Sequence, residues 1–130
     1  MPSFTDTTES DAAPEAVWKL LYDPARFPDW WAGIGSVEVA SDGEYTMYPE
    51  GYPDYPMAQT LSSERSEGRV TVSCMVSDLV FAWRLAPLAD GSRTAISVDV
   101  EIPDAEAARL DAQRDSISAS LRNLAALAAA

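Results

Sequence analysis

The chain contains no histidine and only one cysteine, Cys74. Without histidine, catalytic arrangements of the Ser-His-Asp and Cys-His kinds and His-built zinc sites are excluded; a lone thiol excludes an internal disulfide and any multi-thiolate metal site. Basic residues are scarce as well, with Lys and Arg totalling 9 against 21 Asp and Glu, for a formal net charge of -12. Phosphate recognition depends on clustered Lys and Arg, so nucleic acid is not expected as a partner, and an anionic membrane surface is disfavoured on the same ground. No run approaches the roughly 20 apolar residues that span a bilayer. Met1 to Asp6 has no basic segment leading into an apolar one, so neither membrane insertion nor secretion is expected and the reading is cytoplasmic. The carboxylates fall in turns, on outer strand faces and along one side of a helix. No acidic cluster has the spacing of a metal cage, and no pair compels acid–base work. No metal or other cofactor is therefore expected, and no catalytic residues stand out.

What is present is a core. Nearly half of the 130 residues are apolar, 47%, which suits one domain over residues 1–130 with enough interior for a small cavity. The preponderance of Arg over Lys and the abundance of Ala point to a GC-rich bacterial genome.

The last stretch, Asp104 to Ala130, organises the rest. At about 100° per residue, Leu110, Ile117, Leu121, Leu124 and Ala128 form one apolar stripe of a long helix. Pro103 ends the preceding strand, Asp104 suits the free amides of a first turn, and Glu106 suits the positive helix end. Arg114 interrupts the stripe, with Gln113 beside it. A guanidinium against solid hydrocarbon is costly, so Arg114 is expected to meet a carboxylate, a solvated pocket or a ligand; pairing with Asp111 or Glu106, or snorkelling to water, is the competing reading.

Upstream, Phe4 to Ser10 reads as a first strand. Pro14 opens a helix with Val17, Trp18, Leu20 and Leu21 on one face, and Asp23-Pro24 opens a second, short one that Pro28 ends. From Ile34 the period becomes alternating. Val37 and Val39 precede a Ser41-Asp42-Gly43 turn, and Tyr45 and Met47 share a face of the next strand. Pro49 to Pro56, with three prolines and two tyrosines, is a stiff aromatic loop in which Tyr52 and Tyr55 could gate an entrance. Met57 to Arg65 is a strand with Gln59 in it. Three clear alternations follow: Val70, Val72, Cys74 and Val76; then Phe81, Trp83 and Leu85; then Ile96, Val98, Val100 and Ile102. One apolar face per strand indicates an antiparallel sheet covered on one side, and the terminal helix is its only cover. A sheet curled around one helix has more inner surface than that helix fills, which leaves a cavity unless Trp83, Phe81, Tyr45 and Trp18 occupy it.

Ala12-Ala13-Pro14-Glu15-Ala16-Val17-Trp18-Lys19-Leu20-Leu21-Tyr22-Asp23-Pro24, continuing to Asp29-Trp30-Trp31, resembles the N-terminal signature of the SRPBCC superfamily of START-related domains and polyketide cyclases/dehydrases. Phe81-Ala82-Trp83-Arg84-Leu85 with Asp90-Gly91-Ser92-Arg93-Thr94 is similar to its penultimate hairpin, and the terminal helix to its cavity-lining helix. The resemblance implies an α+β helix-grip fold: a curved antiparallel sheet of about six or seven strands wrapped around a long C-terminal helix, with two short helices between strands 1 and 2. It also implies a hydrophobic ligand pocket, with lipid- or polyketide-like molecules as the ligand class. Within that frame one of Trp30 and Trp31 anchors the helix pair to the sheet and the other is partly exposed.

Strand parity and helix phase then nominate Tyr45, Met47, Gln59, Cys74, Trp83, Val98, Arg114 and Ile117 as ligand-binding residues. Cys74, among inward valines, reads as a small hydrophobe rather than a reactive thiol. The leading function is a protein that binds a small hydrophobic or amphipathic molecule. A cyclase or dehydratase, with Arg114 stabilising an enolate and Tyr45 moving a proton, is the alternative. An accessory partner-binding protein, or one that sequesters a toxic metabolite, is a third possibility.

Overall fold

The structure, a computed structural model, describes residues 2–41 and 43–130. Of the expected Ser41-Asp42-Gly43 turn, Asp42 lies outside the described residues. Seven antiparallel strands form one sheet: β1 (Ser3–Ser10), β2 (Ile34–Ser41), β3 (Glu44–Pro49), β4 (Met57–Glu64), β5 (Arg69–Cys74), β6 (Val80–Leu88) and β7 (Arg93–Glu101). The strands from β2 to β7 follow one another as a meander, and β1 closes onto β7, giving the order β1-β7-β6-β5-β4-β3-β2. Between β1 and β2 lie the helix α1 (Pro14–Leu21) and a 3-10 segment, Pro24–Asp29. Pro14 stands in the first turn of α1, where its missing N–H costs nothing, and the Asp23 side chain accepts from the Ala25 amide to start the 3-10 segment.

The terminal segment is helical from Asp104, but its first six residues, Asp104–Arg109, follow the tighter 3-10 path; the α-helix α2 runs Leu110–Ala129. Its buried residues are Ile117, Ser120, Leu121, Leu124 and Ala125, while Leu110 and Ala128 are half-buried. The expected alternation holds in β5 and β7, where Val70, Val72, Cys74, Ile96, Val98 and Val100 all point inward. It stops one residue pair earlier than the sequence suggests. β5 ends at Cys74, whose carbonyl accepts from the Asp78 amide across a turn, so Val76 is exposed rather than inward.

Helix α2 does not lie centrally over the sheet. It packs against β1 and α1, and hydroxyls fix it there. Ser10 Oγ donates to the Ala125 carbonyl at 2.8 Å and accepts from the Ala12 amide. On its other flank Ser120 Oγ accepts from the Ala32 amide at 2.9 Å, and Ser116 Oγ donates to the Ala32 carbonyl at 2.9 Å. Gly33, at φ +94°, takes a backbone conformation that disfavours any side chain and so turns the chain that follows the 3-10 segment into β2.

The space between α2 and the middle of the sheet is filled by aromatic rings on one side only. Trp30 meets Trp83 edge-to-face at 5.2 Å, Trp31 meets Trp83 at 5.2 Å and Phe81 at 5.1 Å, and Phe27 touches Trp30, Trp31 and Tyr45. Both tryptophans of the pair are buried, at 1% and 7% exposure, so neither is the exposed member that the sequence reading assigned. Trp30 spends its indole N–H on the Leu20 carbonyl at 3.0 Å, which ties the end of α1 to the ring cluster.

Candidate functional site

Beyond the ring cluster, over β3, β4 and β5, the interior is hollow. A partly open cavity of about 270 Å³ lies between these strands and the first turns of α2. Its floor comes from inward positions of three neighbouring strands: Tyr45 and Met47 of β3, Met57 and Gln59 of β4, and Cys74 of β5. Trp31 and Phe81 close the end that faces the ring cluster. Ala32, Gly33 and Ile34 make one wall, held by the two serines of α2, and Arg109, Ala112, Gln113 and Ser116 make the roof. Leu79 and Ser77 complete the side next to the β5–β6 turn.

The floor carries a row of polar groups across otherwise apolar strands. Tyr45 is the cross-strand partner of Gln59, and Gln59 of Cys74, so the three side chains stand side by side on one face. All three are buried, at 3%, 5% and 5% exposure. Gln59 Nε2 donates to Cys74 Sγ at 3.2 Å. Among the described residues no protein group hydrogen-bonds the Tyr45 hydroxyl or the Gln59 carbonyl oxygen, and neither atom is sealed off by protein. Both are left to face the cavity. Burial pushes the Tyr45 hydroxyl far above the ordinary tyrosine range, and Cys74 beside it pushes in the same direction. It therefore stays protonated and acts as a donor at neutral pH.

Among the described lining residues Arg109 is the only charged one. Arg109, mostly exposed, lies 3.7 Å from Glu106, and no carboxylate lines the cavity among the described residues. Likewise no group of three or more His, Cys, Asp or Glu that could hold a metal occurs among them.

The eight residues nominated from sequence thus divide. Tyr45, Met47, Gln59 and Cys74 come together around the cavity. Trp83, Val98 and Ile117 do not line it: each is fully buried in the packed half, because α2 leans toward β1 and brings Ile117 down there, while Trp30 and Trp31 cover Trp83. Arg114 also needs correcting. It does not line this cavity; it is exposed, in line with the competing snorkelling reading, its guanidinium 5.4 Å from the centre of the Phe4 ring on β1. The stripe of α2 has two flanks: at about 100° per residue Gln113 and Ser116 fall on one side of Ile117 and Arg114 on the other. Only the first flank looks into the cavity. Tyr52 and Tyr55, at 67% and 57% exposure, do not line it either.

Sequence reasoning missed Arg109, Ser116 and the Ala32–Ile34 wall. The signal for the serines was available, since Ser116 and Ser120 sit one turn apart on the face that carries Ile117 and Leu124. A hydroxyl on a buried face needs a partner, here the backbone of Ala32.

A family model described as polyketide cyclase / dehydrase and lipid transport matches residues 1–129. No curated protein matches the sequence. Solved structures similar to it include an uncharacterised protein from Bacillus thuringiensis, 17% identical, with 97% of this chain and 98% of that one covered at a TM-score of 0.79. The Zhui aromatase/cyclase from Streptomyces sp. R1128 is 15% identical, with 98% and 93% covered and a TM-score of 0.78. A START superfamily protein from Mycobacterium smegmatis is 12% identical, with 96% and 97% covered and a TM-score of 0.75. At such identities the likeness speaks for the fold alone, a helix-grip.

Proposed function

Because the chain belongs to the polyketide cyclase/dehydrase and lipid transport family, we propose that it binds a small hydrophobic or amphipathic molecule in the cavity between β3–β5 and α2. The observation that carries this reading is the hollow itself, lined by Trp31, Phe81, Met47 and Met57, beside a part of the same sheet where Trp83, Val98 and Ile96 are fully buried. A volume of about 270 Å³ sits near the lower end of ligand pockets. A fused pair of rings or a short chain suits such a space. Two methionines give the walls some adaptability to shape.

A cyclase or dehydratase is the second reading, and one observation favours it: a protonated tyrosine hydroxyl without a protein partner stands in the cavity. The enolate-stabilising part assigned from sequence to Arg114 has no place in this geometry. No carboxylate base accompanies Tyr45 among the described lining residues, so binding ranks ahead of turnover.

The experiment is native mass spectrometry of the purified protein, followed by titration with compact bicyclic compounds, on the wild type and on Ala112→Trp. Ala112 is an exposed residue of α2 that lines the cavity, so the indole plugs the space at little cost to folding. Binding to the wild type and its loss in the variant is the expected result. Equal binding by both would remove the cavity from the account.

A further inference from the structure

We propose that the cavity selects a neutral ring compound bearing a carbonyl or hydroxyl group, taken in polar end first, with Tyr45 as donor and Gln59 as acceptor to that group. The inference rests on the cavity-binding reading and names its ligand class.

The argument starts from three strands. In β3, β4 and β5 the residues paired across the sheet at one level are Tyr45, Gln59 and Cys74. An apolar cavity floor needs no polar row there, and a ligand that cuts these atoms off from water without offering a partner loses about 1–3 kcal/mol at each. The Gln59 amide meets only half of its capacity on Cys74. Its carbonyl oxygen and the Tyr45 hydroxyl remain free, side by side, both residues more than nine-tenths buried and both lining the cavity. One is an acceptor; the other can donate. A ligand group that offers an acceptor alone satisfies Tyr45, and a hydroxyl satisfies both.

Charge decides the rest. A carboxylate brought to this row would lose its water, and the one cation among the described lining residues, Arg109, is mostly exposed on the α2 side beside Glu106, while Arg114 lies outside the cavity. Its desolvation would go uncompensated. The aromatic walls at Trp31, Phe81 and Tyr45 suit the flat faces of a ring system. The cavity therefore discriminates by its polar row against bare hydrocarbon and against anions, and its ring walls set the shape.

Trp31 lines the cavity, so quenching of tryptophan fluorescence, checked by calorimetry, reads occupancy. The probes are naphthalene, 2-naphthol, 1-tetralone and 2-naphthoate, titrated into the wild type, Tyr45→Phe and Gln59→Leu, with near-ultraviolet circular dichroism confirming that each variant is folded. In the wild type, 2-naphthol and 1-tetralone are expected to bind about tenfold more tightly than naphthalene, and 2-naphthoate more weakly than 2-naphthol by a similar factor. Tyr45→Phe is expected to erase the advantage of both neutral polar probes; Gln59→Leu is expected to lower that of 2-naphthol and leave 1-tetralone nearly unchanged. Naphthalene affinity serves as the reference in each variant. Naphthalene binding as tightly as 2-naphthol would overturn the assignment of the polar row while leaving the cavity as a binding site. Tightest binding by 2-naphthoate would overturn it in favour of an anion site at Arg109. Failure of all four probes to bind the wild type would overturn the cavity reading itself.

Discussion

The two halves of the concave face carry the same alternation and meet different fates. Over β7 and β6, Trp83 is met edge-on by the rings of Trp30 and Trp31, and Val98, Ile96, Ile117 and Leu121 are buried with it in one core. Over β3, β4 and β5, the inward side chains of Met47, Gln59 and Cys74 look across a void at Gln113 and Ala112. The difference lies in the cover. Helix α2 is tied to β1 by Ser10 and sits against α1, so it leans to one side of a sheet wider than itself. A helix about 10 Å across cannot cover seven strands spaced about 4.8 Å apart. Packed half and hollow half are thus one structure, divided by the rings of Trp31 and Phe81.

The sharpest way to break this comparison is to shorten a side chain in each half and measure unfolding in denaturant. Trp83→Ala, in the packed half, is expected to cost about 3–5 kcal/mol, because a fully buried ring leaves a hole its neighbours cannot close. Next in size comes Ser120→Ala. It removes the acceptor for the Ala32 amide and one of the two ties that hold the cavity wall to α2; a loss of about 1–2 kcal/mol is expected, together with weaker ligand binding.

A third effect separates the halves by pH. The folded protein holds the Tyr45 proton more tightly than the unfolded chain does, so stability from this site is intact below the usual tyrosine value of about 10 and falls as pH rises beyond it. Relative to Tyr45→Phe, the wild type is expected to lose about 1.4 kcal/mol per pH unit above about pH 10. Urea unfolding of both proteins at pH 9, 10 and 11 checks this, and parallel curves would remove the buried hydroxyl from the account. Smallest of all is Met47→Ala. Its side chain already borders empty space and is half-buried, so less than about 1 kcal/mol is expected, well under the 2–5 kcal/mol usual for a packed methionine. A cost as large as that of Trp83→Ala would mean that the hollow half is packed after all.

Much of the architecture is legible in the sequence. Period-two apolar positions from Val70 to Ile102 define strands with one covered face, and Pro14, Asp23 and Pro24 mark two short helices. Tyr45, Met47, Gln59 and Cys74 follow from the same parity. What parity cannot supply is position along the sheet. Val98 and Met47 have equivalent patterns, and only the lean of α2 decides which of them is covered by protein. Arg114 misled for a related reason. Helical phase placed it on the apolar stripe correctly to within one flank, but which flank faces β1 and which the cavity is settled by Ser10 and Ser116 reaching distant backbone. Val76 failed on a turn: the β5 alternation reads straight through Cys74, where the chain bends back so that the Cys74 amide donates to the Leu79 carbonyl.

The central claim, that the hollow half receives a guest, can be read from methionine methyl groups. Met47 and Met57 line the cavity while Met75, at 60% exposure, stands outside it. In a titration of carbon-13 methyl-labelled protein with 2-naphthol, ring-current shifts are expected at Met47 and Met57 with Met75 unmoved. Shifts at Met75 alone, or none at any of the three, would contradict the account.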